Sequence, residues 1–87
     1  MKEVPPCAPS AVDVAPQDDY HILVTFADGA VKLFDVKPYL DHPAFLELKI
    51  PALFRAVRIG GLSVEWLRGQ DICPEELYYN SVLVNGG

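Results

Sequence analysis

Apolar and polar positions alternate with period two in two parts of this chain, and each part predicts a hairpin. In YHILVTFADGAVKLFDV, residues 20–36, two apolar runs flank Asp28 and Gly29, a pair that accepts the positive φ angles of a two-residue type I′ turn. Such a turn sets Phe26 opposite Val31, Val24 opposite Leu33 and Ile22 opposite Asp35. Tyr20, Ile22, Val24, Phe26, Val31 and Leu33 then share the core face, while Thr25, Lys32, His21, Leu23 and Phe34 share the other. A slip of one residue would bury Lys32, so the pattern argues for this register. In RAVRIGGLSVEW, residues 55–66, Gly60 and Gly61 are the expected turn, pairing Ile59 with Leu62, Val57 with Val64 and Arg55 with Trp66. Arg58 and Ser63 then point away from the apolar face, and Arg55 is expected over the Trp66 ring as a cation–π contact.

The flanking segments follow other rules. AVDVA, residues 11–15, alternates Val12 and Val14 with Asp13 and reads as a half-buried strand. Between the hairpins, Pro38, Pro43 and Pro51 are too closely spaced for one long helix, because an interior proline removes a donor and clashes with the preceding turn. Each suits the first position of a short helical turn, with Tyr39, Leu40, Phe45, Leu46, Leu48, Leu53 and Phe54 laid over the sheet. In DICPEEL, Pro74 at the first helical position makes Cys73 the N-cap. Ile72 and Leu77 then form a hydrophobic staple, and Glu76 is placed to reach back to the cap amide. VLV at 82–84 is expected to add an edge strand, within the chain or to a second copy, or else to fray.

The predicted architecture is α+β: a small antiparallel sheet of four or five strands built from two hairpins, with short helical turns covering one face. A chain of 87 residues holds a single core. We expect residues 1–10, with three prolines, to form a flexible arm, residues 11–81 the domain and residues 82–87 a tail.

Charge narrows the functions. The net charge of −5 and seven scattered basic residues offer little to a phosphate backbone, so direct nucleic-acid binding is not expected. No leader-like or membrane-spanning run is present, and a cytoplasmic location with Cys7 and Cys73 as free thiols is the corresponding expectation. Candidate chemistry is sparse. Asp18, Asp19 and His21 carry ligand atoms, but the first two lie in a turn-forming loop, so a metal site is not expected. Cys73 is flanked by Asp71, Glu75 and Glu76, which oppose a thiolate. Arg68 with Asp71 reads as an exposed ion pair, and alternation puts Trp66 in the core.

FADG (26–29), LFDV (33–36), Trp66 and GQDICPEELY (69–78) together resemble the bacterial domain of unknown function 2442 family over about residues 11–78. The resemblance implies a compact α+β domain, sometimes fused to a helix-turn-helix DNA-binding region, and brings no catalytic residue or cofactor. Where the family tends to have Ser or Thr this chain has Cys73, and where proline is common it has Leu67. It stops short of where a helix-turn-helix would begin, which again argues against direct DNA contact.

The leading expectation is therefore a non-enzymatic protein-interaction or regulatory module without cofactors, self-associating or binding another protein. Its expected contacts are Leu23, Phe34, Arg58, Val82, Leu83 and Val84. One alternative is a small metal-dependent hydrolase using Asp18, Asp19, His21 or Asp71. A second is an accessory part of a nucleic-acid-binding regulator, which requires Arg55, Arg58 and Lys32 to gather on one face.

Overall fold

The computed structural model describes residues 8–84; most of the expected arm and the last three residues of the tail lie outside the described residues. The main hairpin joins β2 (His21–Phe26) to β3 (Val31–Asp35). Its loop has three residues rather than two. The Phe26 amide donates to the Ala30 carbonyl at 2.8 Å and the Gly29 amide to the Phe26 carbonyl at 2.9 Å, with Gly29 at φ 92°. Asp28 closes the loop through its own carboxylate, which accepts the Ala30 amide at 3.0 Å. This is a tight turn followed by a left-handed glycine bulge.

The extra loop residue moves the register by one from the expected pairing. Ile22 faces Phe34, Leu23 faces Leu33 and Val24 faces Lys32. The core face of β2 is the expected one, with Ile22, Val24 and Phe26 buried, but β3 is turned over. Phe34 is 1 % exposed, and Val36 just beyond the strand is buried as well. The placement of Phe34 on the open face is thereby corrected. Lys32 does face inward, and the structure accommodates it: Nζ donates to the Tyr78 carbonyl at 2.8 Å and sits 3.8 Å from the Tyr78 ring centroid.

β1 (Ala11–Pro16) pairs antiparallel with β2, and β6 (Val82–Leu83) pairs antiparallel with β3, so the sheet order is β1-β2-β3-β6. The β1 register shifts between Ala11 and Asp13. Val14 packs against the core, whereas Val12 is exposed. Ala8 is already buried, and the Ser10 carbonyl accepts the Ala27 amide at 2.8 Å.

The second hairpin, β4 (Arg58–Gly60) and β5 (Ser63–Glu65), forms its own two-stranded sheet. Its turn is Gly61-Leu62, with the positive φ of 59° on Gly61, so Ile59 faces Val64 and Arg58 faces Glu65. Ile59 meets Val64 rather than Leu62, a displacement of two residues from the expected pairing, which leaves Ile59 and Val64 on a common face. Ser63 is buried instead of turned outward. The Leu62 carbonyl accepts the Ala11 amide at 3.1 Å, which seats this hairpin against the outer edge of β1.

The prolines other than Pro38 behave as expected. Pro43 begins a 3-10 turn and Pro51 and Pro74 open α1 (Pro51–Phe54) and α2 (Pro74–Tyr79), while Pro38 is the second residue of a 3-10 turn that starts at Lys37. Leu40, Leu48 and Phe54 from this layer meet Ile22, Val24, Phe26 and Phe34 in one core with Trp66, Ile72 and Leu77. Leu46 is exposed and stays out of it. Trp66 is 1 % exposed, lies edge-on to Phe45 and donates its indole N–H to the Phe54 carbonyl at 2.9 Å. The α+β class holds, and no helix among the described residues is long and apolar enough to cross a membrane.

Candidate interaction surface

The reversal of β3 creates the most distinctive surface of the molecule. Residues opposite one another in an antiparallel sheet project to the same face. Ala15 pairs with Leu23, Leu23 with Leu33, and Leu33 with Val82, so four strands contribute one unbroken apolar row to the face away from the core. Next to it run Asp13, Thr25 and Val31, and the Val84 amide donates to the Val31 carbonyl at 2.9 Å. His21 and Asp35 border the row on its other side, with Nε2 and Oδ1 3.8 Å apart.

The row ends at the outer strand. Val82, Leu83 and Val84 are 67 %, 52 % and 45 % exposed. Tyr78 fixes where this strand lies. Its ring meets Phe26 edge-on at 4.8 Å, its hydroxyl donates to Asp28 Oδ2 at 2.7 Å, and its carbonyl holds Lys32. The Asp28 carboxyl is lowered below its ordinary value, chiefly by the Tyr78 hydroxyl and then by the Ala30 amide, and the Tyr78 phenol is raised by the same bond. α2 is clamped to the β2–β3 loop, and the chain leaving it runs back along β3 as β6.

Of the expected contacts, Leu23, Val82, Leu83 and Val84 lie on this face and edge. Phe34 lies beneath it. Arg58 is exposed elsewhere, on β4, with its guanidinium 2.8 Å from Glu65 Oε2.

The residues of the hydrolase alternative do not come together. Asp18 and Asp19 line a groove of about 170 Å³ beside Tyr20, Phe54 and Arg55, smaller than the roughly 300–1,000 Å³ of a typical substrate pocket. Asp18 faces Arg55 at 3.9 Å, and Asp19 accepts from Lys37 Nζ at 2.7 Å, the contact that lowers the Asp19 carboxyl and raises the Lys37 ammonium. His21 sits on the sheet by Asp35. Asp71 lines a different groove with Ser63, Glu65 and Cys73, and its backbone bridges to Glu65. Among the described residues no three His, Cys, Asp or Glu side chains are placed to hold a metal ion.

The basic residues of the nucleic-acid alternative are dispersed as well. Lys32 is engaged with Tyr78, Arg55 with Asp18 and Arg58 with Glu65. Arg55 does not stack on Trp66; among the described residues it is Lys32 that lies over a ring, that of Tyr78. Arg68 pairs with Glu47 at 3.6 Å rather than with Asp71.

The C-terminal block does structural work. Cys73 is the N-cap of α2, Ile72 and Leu77 are both buried, and Glu75 and Glu76 lie in the first turn. Glu76 departs from the expected capping box, since its carboxylate accepts the Tyr39 hydroxyl. Burial first and this bond second push the Tyr39 phenol up to about 12. The exposed Cys73 thiol donates to Glu75 Oε1 at 3.0 Å, which lowers the Glu75 carboxyl. Cys7 lies outside the described residues.

The cross-strand row is hidden in the sequence because Asp28-Gly29 also fits a two-residue loop. The signal that reveals it is Asp28, whose side chain can bond the amide two residues on and so favours a longer loop.

No curated protein matches this chain, and no solved structure does. A family model described as "Protein of unknown function (DUF2442)" matches residues 11–82, most of the chain and nearly all of the described fold. The chain belongs to the DUF2442 family.

Proposed function

We propose that this protein is a non-enzymatic interaction module whose working surface is the open face and outer edge of the four-stranded sheet. The observation that supports this most strongly is the row Ala15, Leu23, Leu33, Val82, which runs across every strand away from the core and ends in an exposed apolar edge. An apolar surface running onto an unpaired strand is the kind of feature that protein partners cover, by packing on the face or by adding a strand.

The test is selective retention. Leu33→Glu puts a charge in the middle of the row without touching the core. An immobilised wild-type chain is expected to retain a partner, a second copy included, that Leu33→Glu releases while its far-UV circular dichroism is unchanged. Identical retention by both chains, or none by either together with a wild type that stays monomeric at every concentration, contradicts the reading.

A further inference from the structure

We infer that the occupant of the β6 edge is a second copy of this chain, added as an antiparallel strand about a two-fold axis through Leu83. The inference rests on the interaction reading and names its partner.

The sheet has two edges. At β1 the second hairpin is already seated, with the Leu62 carbonyl on the Ala11 amide. At β6 the alternation of an antiparallel ladder decides which groups remain open. Val84 donates inward to Val31 and Leu83 stands opposite Lys32, so the N–H and C=O of Leu83 point away from β3. Two Leu83 residues brought together antiparallel exchange both bonds.

The sequence suits that geometry. Val82-Leu83-Val84 reads the same in both directions, so a two-fold at Leu83 sets Leu83 against its counterpart and each Val82 against the other copy's Val84. The valine pairs extend the row Ala15, Leu23, Leu33, Val82 into the second molecule. Charge favours this arrangement over packing two open faces together. Face-to-face packing would crowd Asp13 and Asp35 of two chains that each carry −5, whereas β6 has no charged residue. The edge also lacks the lysine, proline or bulge that ordinarily discourages such pairing.

Three residues a side bury far less than the roughly 800 Å² per partner of a standard interface, so the dimer is weak and concentration-dependent. Sedimentation velocity on the full chain, run up to roughly millimolar concentration, is expected to show mass rising toward twice that of the monomer. Leu83→Glu and Leu83→Lys each place like charges across the axis, and each alone is expected to remain monomeric with an unchanged thermal midpoint. Their equimolar mixture is expected to associate at least as well as wild type. Leu83→Pro removes only the outward N–H and is expected to weaken association about tenfold or more. A monomeric wild type at all concentrations, or a Glu–Lys mixture that stays monomeric while each variant is folded, overturns the inference. Retention of another protein that Leu33→Glu still abolishes would then leave the interaction reading standing without the dimer.

Discussion

Single residues hold this fold together across long sequence distances, and several respond to pH. The Tyr39 phenol is raised from 10.0 to about 12 by burial and by its bond to Glu76. Because the folded state favours the protonated phenol, the contribution is complete below pH 10 and is lost as pH rises toward 12. The urea midpoint of the wild type is expected to fall over that window more steeply than that of Tyr39→Phe; parallel slopes would contradict it. Asp28 works in the opposite direction. Its carboxyl is lowered from 3.8, so its contribution is present above that value and lost in acid. Tyr78→Phe is therefore expected to lower the midpoint at pH 7 and to lose part of the acid dependence below pH 4. At Cys73, a thiol caps a helix poorly where a hydroxyl accepts an amide well. Cys73→Ser is expected to raise stability by about 0.5 kcal/mol, and a lowered urea midpoint would refute the assignment of that residue as a cap.

Elements in this chain are short and depend on their neighbours. α2 has six residues, well below the length at which an isolated helix persists, so its stability comes from docking Leu77 beside Ile72. Leu77→Ala is expected to cost about 3 kcal/mol in a denaturant melt. The register of β3 has an equally direct test. Phe34 is buried and Leu33 lies on the open face, so Phe34→Ala is expected to cost about 3–4 kcal/mol and Leu33→Ser less than about 1. The reverse order would restore the register that the sequence suggests. Much of the element plan was legible in advance: the proline-initiated turns, the Ile72–Leu77 staple, the buried Trp66 and the core face of β2. The register was not. Asp28-Gly29 and Gly60-Gly61 both fit two-residue turns, and only the Asp28 carboxylate on Ala30 and the site of positive φ at Gly61 determine where the strands pair. The burial of Lys32 looked prohibitive because its compensation by Tyr78, 46 positions away, leaves no local mark in the sequence.

At the scale of the whole molecule, an acidic protein presents an uncharged edge. Its basic side chains at positions 32, 37, 55, 58 and 68 are engaged by separate partners, while β6 and the row behind it carry no charge. Self-association is therefore expected to hold or strengthen between about 0.05 and 0.5 M salt, since screening relieves the repulsion of two net negative chains. Binding driven by phosphate contacts would weaken steeply over the same range. The candidate surface was legible only in part. Leu23 and the VLV segment were anticipated, whereas Leu33 as its centre and the loss of Phe34 from it both follow from one loop residue. Self-association depends on the outward-facing backbone of Leu83, and amide hydrogen exchange at that residue tests it most directly. With increasing protein concentration, exchange at Leu83 should slow severalfold, because its N–H acquires an acceptor only in the assembled state. Exchange at Leu83 that is fast and unchanged at every concentration would contradict it.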